Sequence, residues 1–130
     1  MSSIYVEVEV LLDTNFIISC ILKRIDFLEE LKEMGFKIKV PKEVLQEMKD
    51  LKKDSKVGYA EREAIDIAFK MFEQEKIKKI SLGGAKVDDG LIAKGKDGTY
   101  IATLDRRIKR ETPNKIMIDN AKKGLRVARD

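Results

Sequence analysis

The amino-acid sequence lacks histidine and tryptophan and contains a single cysteine. Without histidine there can be no Ser-His-Asp triad, no Cys-His dyad and no histidine ligand to a metal. One cysteine excludes an internal disulfide bond and any cysteine-rich zinc site. Any chemistry performed by this chain must therefore use carboxylates, lysines, hydroxyls or amides.

Long apolar runs are also missing. No stretch approaches the ~20 residues that a membrane span needs. The first three residues lead directly into an apolar-rich segment without a basic region or a cleavage site, so we expect no signal peptide. The one cysteine, Cys20, lies among isoleucines and leucines, which favours a place in the core over a role as nucleophile. We therefore expect no membrane association and a reducing, cytoplasmic location.

The residues that are present are typical of a folded globular domain. The chain has 130 residues, of which 43% are hydrophobic and 38% charged. Its 27 basic residues outnumber 23 acidic ones, which gives a net charge of +4. This length suits one domain and this composition a soluble protein. We expect a folded domain over residues 1–119 and a basic C-terminal tail over residues 120–130.

The hydrophobic periodicity alternates along the chain between that of strands and that of helices. Strands are predicted at residues 4–12, 36–40, 77–82, 99–104 and 115–118, the last being the final strand. Helices are predicted at 13–22, 27–34, 41–51, 59–75 and 88–96, with a basic turn or short helix at 106–110. This alternation predicts an α/β fold, a three-layer sandwich with a central, mostly parallel sheet and helices on both faces.

Acidic residues recur where these elements should meet one edge of the sheet. Asp13 and Asp105 end the first and fourth predicted strands. Asp88 and Asp89 open a helix, and Glu47 lies about two turns into another. Sites in such sheets lie at the carboxyl ends of the strands, and clustered carboxylates resist joint ionisation unless a cation is bound. The pattern predicts one or two Mg²⁺ or Mn²⁺ ions, which prefer carboxylate and water oxygens.

Four segments resemble the motifs of PIN-domain nucleases. Residues 10–16, Val-Leu-Leu-Asp-Thr-Asn-Phe, are similar to the opening motif, and residues 40–47, Val-Pro-Lys-Glu-Val-Leu-Gln-Glu, to the second. Residues 87–92 and 101–106 resemble the third and fourth motifs, in the family's order. The resemblance spans most of the chain, from Leu11 to about Ile118, and implies a PIN-like nuclease domain.

The resemblance implies a metal-dependent endoribonuclease that hydrolyses RNA phosphodiester bonds and leaves a 5′-phosphate and a 3′-hydroxyl. Carried over by position, the catalytic metal-binding acids would be Asp13, Glu47, Asp88 and Asp105. Asn15 and Thr103 would orient these carboxylates or hold a water or a phosphate.

The third motif offers two adjacent candidates for one metal ligand. Three, four and seven residues after Asp88 come Leu91, Ile92 and Gly95, a small or apolar face suited to packing beneath a ligand. The same offsets from Asp89 reach a lysine. We therefore favour Asp88 as the direct ligand and keep Asp89 as a flanking metal-site candidate.

Basic residues follow the acids and indicate RNA as the partner. Phosphate contacts by such residues give affinity that depends on salt and not on sequence. Six residues near the acids are predicted to bind RNA, namely Lys94, Lys96, Arg106, Arg107, Lys109 and Arg110. The lysine runs at 52–56 and 76–79 are predicted to be ordinary surface.

The helix of the third motif departs from the family pattern. The family usually continues this helix with alanines, whereas residues 93–98 read Ala-Lys-Gly-Lys-Asp-Gly. With the basic run after Asp105, this ending resembles the ribosomal-RNA-processing branch of the family more than the VapC toxins. We therefore expect a role in processing rRNA or another RNA, with ribosome-assembly proteins as candidate partners.

Other interpretations stay open at this point. One is a non-catalytic RNA-binding scaffold in ribosome assembly, and another is a VapC-like toxin ribonuclease. A phosphatase of the haloacid-dehalogenase type would need an aspartate where Asn15 stands, and a receiver domain would need acids at Leu11 and Leu12. The choice between Mg²⁺ and Mn²⁺, the RNA substrate and the oligomeric state, monomer or homodimer, also stay open.

Overall fold

The computed structural model describes residues 8–129 of the chain. Its strands are β1 (Val8–Leu12), β2 (Phe36–Pro41), β3 (Lys78–Ile80), β4 (Tyr100–Ala102), β5 (Asn114–Asp119) and β6 (Gly124–Arg129). Its helices are α1 (Thr14–Leu22), α2 (Phe27–Glu33), α3 (Lys42–Lys53), α4 (Tyr59–Gln74), α5 (Val87–Lys96) and α6 (Arg106–Glu111). The start of the predicted first strand, residues 4–7, lies outside the described residues. Within 8–129, every helix is too short or too polar to cross a membrane.

The strands form one sheet in the order β3-β2-β1-β4-β5-β6. The first five are parallel, and β6 runs antiparallel to β5. After β1 the chain builds outward through β2 and β3, then crosses back to β4 on the other side of β1. The strand order therefore reverses between β1 and β4, and a crevice opens there at the carboxyl ends of the strands. The predicted α/β sandwich with a mostly parallel sheet is confirmed.

The predicted end of the sheet needs correction. The strand predicted at 115–118 is not the last, because residues Gly124–Arg129 of the basic C-terminal segment form β6. A turn after Asp119 folds the chain back. Oδ1 of Asp119 accepts hydrogen bonds from the N–H groups of Ala121 and Lys122 within this turn. The many charges of this segment concealed a strand whose apolar residue Leu125 is fully buried.

The two faces of the sheet carry separate apolar cores. Val10 and Leu12 of β1 point into the larger core, which α1 to α4 cover. Leu11, between them, points to the opposite face and packs with Leu91 of α5 and Ile108 of α6. This alternation along one strand fixes the three layers, since successive side chains of a strand point to opposite faces.

A close contact explains the glycine in the helix of the third motif. A Cβ added at Gly95 of α5 would lie 2.3 Å from Cγ2 and 2.8 Å from Cβ of Thr112. Thr112 follows α6 directly, and its hydroxyl donates to the carbonyl of Ile108 at 2.7 Å. The missing side chain at Gly95 therefore lets α5 and the end of α6 approach each other.

Candidate active site

Asp13 lies at the point where the strand order reverses. It directly follows β1, and its N–H donates a 3.0 Å hydrogen bond to the carbonyl of Ala102 in β4. The register pairs Leu12 with Ala102, so the next residues along, Asp13 and Thr103, lie side by side. The predicted strand at 99–104 is shorter than expected because Thr103 and the residues after it leave the sheet to build this edge.

The carboxylate of Asp13 is held in one orientation. The N–H of Thr14 donates to Oδ1 at 2.9 Å, so that Asp13 caps α1. The hydroxyl of Thr103 donates to Oδ2 at 2.8 Å. Asp13 is only 7% exposed and Thr103 is fully buried. Neither oxygen can turn away without breaking a buried hydrogen bond.

The ionised form of Asp13 is disfavoured in the isolated chain. Burial raises the pKa of this carboxyl above its ordinary value, and the hydrogen bonds from Thr103 and Thr14 only partly oppose that rise. The negative charges of Glu47 and Asp88 raise the pKa further. Three of the predicted acids therefore interact electrostatically, and a cation among them would relieve both burial and repulsion.

Asp105 is tied to Asp13 through Thr103. The N–H of Asp105 donates to Oγ1 of Thr103 at 3.0 Å, while the same hydroxyl donates to Asp13. The Oδ1 atom of Asp105 accepts from the N–H of Ile108 at 3.0 Å and caps α6. One carboxylate oxygen is thus engaged with the helix, and the side chain is exposed at the same edge.

Glu47 and Asp88 reach the edge from α3 and α5. Both side chains are exposed, and neither makes a hydrogen bond or an ion pair with the rest of the described chain. Their charges are nevertheless close enough to act on Asp13. They are therefore free to bind a ligand that enters the crevice.

Asp89 has a different environment from its neighbour. Its Oδ1 accepts a 2.8 Å hydrogen bond from Nη2 of Arg107, and Nε of the same arginine donates to Glu111 at 3.1 Å. The residues of α5 predicted to pack beneath Asp88, namely Leu91, Ile92 and Gly95, are buried. The structure thus gives Asp89 a basic partner and leaves Asp88 with Asp13.

The donor chemistry of this edge fits a hard divalent cation. Its side chains offer carboxylate oxygens, and the hydroxyl of Thr14, next to Asp13, is buried without a hydrogen-bond partner among residues 8–129. In the same part of the chain, however, no three acids lie close enough together to form a finished ligand set. Side-chain movement at the exposed acids would be needed to close around an ion.

Glu43 is a further residue of this edge that the sequence did not single out. Both of its carboxylate oxygens accept from the N–H of Leu82, at 3.1 and 3.0 Å, and the side chain of Ser81 lies at 3.5 Å. Burial opposes ionisation, but these backbone donors outweigh it and hold the pKa of Glu43 below its ordinary value. Glu43 thereby ties α3, which carries Glu47, to the loop that leads into α5. Its only sequence signal is an acid in the first turn of a helix.

The remaining predicted residues lie around the acids without joining them. Asn15 is exposed in the first turn of α1, and its side chain makes no hydrogen bond with other described residues. Lys96 lies 3.9 Å from Glu111, and Arg107 is engaged by two acids. The other predicted RNA contacts are exposed or half-buried, namely Lys94, Arg106, Lys109 and Arg110.

Comparisons with known proteins agree with this architecture. A family model described as a PIN like domain matches residues 10–118. A solved structure, that of the PIN domain endonuclease Utp24, superposes with a TM-score of 0.70 and 22% sequence identity, covering 94% of this chain and 92% of that one. No curated protein matches the chain in sequence. The fold is thus that of the Utp24 domain, and because the family model covers most of the sequence, the chain belongs to the PIN-like domain family.

Proposed function

We propose that this protein is a metal-dependent endoribonuclease that acts in the processing of rRNA or another RNA. The observation that carries the proposal is the buried carboxylate of Asp13 at the reversal of the strand order, held by Thr103 and repelled by Glu47 and Asp88. A buried acid under this electrostatic load is costly for a merely structural role, and it is typical of sites that bind a cation.

In this proposal Asp13, Glu47, Asp88 and Asp105 hold one or two Mg²⁺ or Mn²⁺ ions. A divalent cation bound by carboxylates lowers the pKa of a coordinated water and stabilises the charge that develops on a phosphodiester. Asp13 contributes a preoriented ligand, because its two hydrogen bonds fix both oxygens. Thr103 positions Asp13 and Asp105 together, and the basic residues of α5 and α6 attract the RNA backbone.

The similar fold of the Utp24 domain, whose structure is described as that of an endonuclease, supports nuclease activity for this chain. The basic residues near the site favour a nucleic acid substrate. Twenty-seven basic residues face 19 acids once the four proposed ligands are set aside from the 23, a balance of +8 over the rest of the chain.

The test is to incubate the purified protein with mixed-sequence RNA in Mn²⁺, in Mg²⁺ and in EDTA, and to analyse the ends of the products. We expect cleavage with either ion and none in EDTA, and products that a 5′-phosphate-dependent exonuclease degrades. Cleavage in EDTA, or products with a 5′-hydroxyl, would contradict the proposal.

A second candidate is an RNA-binding scaffold without activity. It is favoured by the fact that no three acids of residues 8–129 form a ready ligand set. Calorimetric titration with Mn²⁺ separates the two functions. A nuclease of this type binds the ion and loses most of that binding in Asp13→Asn, whereas a scaffold gives no saturable heat at this edge in either protein.

A further inference from the structure

Among residues 8–129, α5 and α6 cover the β1 and β4 part of their face of the sheet more fully than the β2 and β3 part. The helices α5 and α6 cover β1 and β4 on this face, where Leu11 and Ile101 are fully buried. The helices that pack most extensively on β2 are α2 and α3, and both belong to the opposite face. Parallel sheets are normally covered on both sides. Here Ile80, at the end of β3, packs against the core of this face. Lys37, Lys39 and Lys78 before it stay half-buried or exposed, and we call their part of the face the open face.

Lysines occupy this open face where a covered sheet would carry apolar residues. Glu9 of β1 is paired in register with Lys37 of β2, and Leu11 with Lys39. Lys39 in turn is paired with Lys78 of β3. Because residues paired in register point to the same side of a sheet, all three lysines lie on the side of Leu11. Lys37 and Lys39 are half-buried, and Lys78 is exposed.

Lys94 of α5 borders the same face. The pKa of Glu9 is held below its ordinary value by the hydrogen bond from Lys39, and also by the charges of Lys39, Lys37 and Lys94. A charge on α5 and two on β2 therefore act on one carboxylate of β1. We name the four residues Lys37, Lys39, Lys78 and Lys94 the lysine strip. In the described part of these strands the acid beside the strip is Glu9, which forms an ion pair with Lys39, so that the four lysines and Glu9 together carry 4 − 1 = +3 charges.

The strip leads to the acidic edge. Lys39 is paired with Leu11, two residues before Asp13, and Lys37 with Glu9, four residues before it. At the usual rise of a strand, the two lysines lie about 7 and 13 Å from Asp13 along the strand direction. Lys94 lies on the helix that begins next to Asp88. A polyanion seated in the carboxylate crevice can therefore continue across the strip without leaving the protein surface.

We propose that the lysine strip binds the phosphate backbone of a single-stranded segment of the RNA that flanks the cleavage site. The inference rests on the proposed nuclease function for its starting point, and on the charge and openness of the sheet face for its path. The positive charge suits phosphates, and the absence of aromatic residues from the strip predicts affinity without base preference. In this proposal Lys78, within the exposed run at 76–79, belongs to the RNA path.

The test compares two double charge reversals in an Asp13→Asn background, which prevents turnover. Lys37→Glu with Lys78→Glu alters the strip, and Lys53→Glu with Lys70→Glu makes the same change of net charge on exposed residues of α3 and α4. Binding of fluorescent oligouridylates of about 4 and about 12 nucleotides is followed by anisotropy at several salt concentrations, and melting curves check folding.

We expect the strip variant to bind the longer RNA at least tenfold more weakly than the control variant. Its plot of log K against log salt should be shallower by about 1.4, the value for two lost phosphate contacts on a single strand. The short RNA should bind equally to both. Lys37→Gln with Lys78→Gln should give a smaller loss in the same direction, and it replaces the charge reversal if that variant does not fold.

Equal binding of the longer RNA by the strip and control variants would overturn the inference, as would an equal loss in both. The outcome is independent of catalysis. If the parent protein cleaves nothing but the strip variant still binds the longer RNA more weakly, the proposed nuclease function fails and the proposed RNA path stands. If the parent cleaves normally and the strip variant binds like the control, the nuclease function stands and the RNA path fails.

Discussion

The hydroxyl of Thr103 donates a 2.8 Å hydrogen bond to Oδ2 of Asp13 and accepts one of 3.0 Å from the N–H of Asp105. The buried side chain of Thr103 thus holds the carboxylate of Asp13, which follows β1, and the backbone of Asp105, which follows β4. The arrangement turns the carboxyl ends of β1 and β4 into one rigid unit, to which Glu47 and Asp88 are added from helices.

Replacing Thr103 by valine should weaken both stability and catalysis. The change keeps the shape but leaves Oδ2 of Asp13 without its donor and the N–H of Asp105 without its acceptor, at a cost of about 1–3 kcal/mol. We expect cleavage to fall about 10–100-fold, as for other groups that orient metal ligands. Thr103→Ser keeps the hydroxyl and should retain most of the activity. Equal losses in both variants, measured by single-turnover cleavage, would contradict this role.

Asp13 should make the metal-free protein less stable at neutral pH than at mildly acidic pH. Its folded pKa is raised above the unfolded value, so the folded state binds the proton more tightly. Stability from this group is greatest below the unfolded pKa and is lost as pH rises through the folded pKa. Asp13→Asn should therefore melt at a higher temperature than the parent in EDTA at pH 7.5, because the variant has no buried carboxylate to ionise.

Divalent cations should reverse the order of the two melting temperatures, so that the parent melts higher than Asp13→Asn. Millimolar Mg²⁺ or Mn²⁺ should raise the melting temperature of the parent, because an ion that binds only the folded state stabilises it. The Asn variant should gain little. A variant that melts lower than the parent in EDTA, or that gains as much from the cation, would contradict a cation site built on Asp13.

The two aspartates of α5 should differ in function. Asp88 interacts with Asp13, whereas Asp89 is engaged by Arg107. We expect Asp88→Asn to abolish cleavage and Asp89→Asn to reduce it by no more than about tenfold, the effect of an outer group. The two variants are matched in chemistry and position. Loss of activity in Asp89→Asn but not in Asp88→Asn would make Asp89 the metal ligand and Asp88 the outer group.

Gly95→Ala should destabilise the domain although alanine favours helices. The added Cβ would lie 2.3 Å from Thr112 Cγ2, and such overpacking costs about 1–3 kcal/mol. Thr112→Ser removes that methyl group while keeping the hydroxyl, so the double variant should recover part of the loss. Gly58→Ala, where nothing lies within 4 Å, serves as the control. Chemical denaturation measures all three, and a Gly95→Ala protein as stable as the parent would refute the contact.

The sequence predicted those parts of the molecule that depend on local pattern. The end of β1 at Asp13 follows from a hydrophobic run that stops at an acid. Asp105 follows a second such run, of which β4 uses only Tyr100–Ala102, and the parallel arrangement brings both acids to one edge. The pairing of Asp89 with Arg107 could not be foreseen, because it depends on how α5 and α6 pack. The same holds for Glu43, whose partner Leu82 lies 39 residues away. Strand β6 was missed because its alternation is masked by charges.

The most direct measurement of the central claim is single-turnover cleavage of RNA in Mn²⁺ by the parent, by Asp13→Asn and by Asp97→Asn. Asp97 is exposed at the far end of α5 and controls for the loss of one acid. We expect the parent and Asp97→Asn to cleave at the same rate, and Asp13→Asn to be folded, to bind RNA and to leave it intact. Cleavage by Asp13→Asn at the parent's rate would contradict a catalytic centre built on the carboxylate of Asp13.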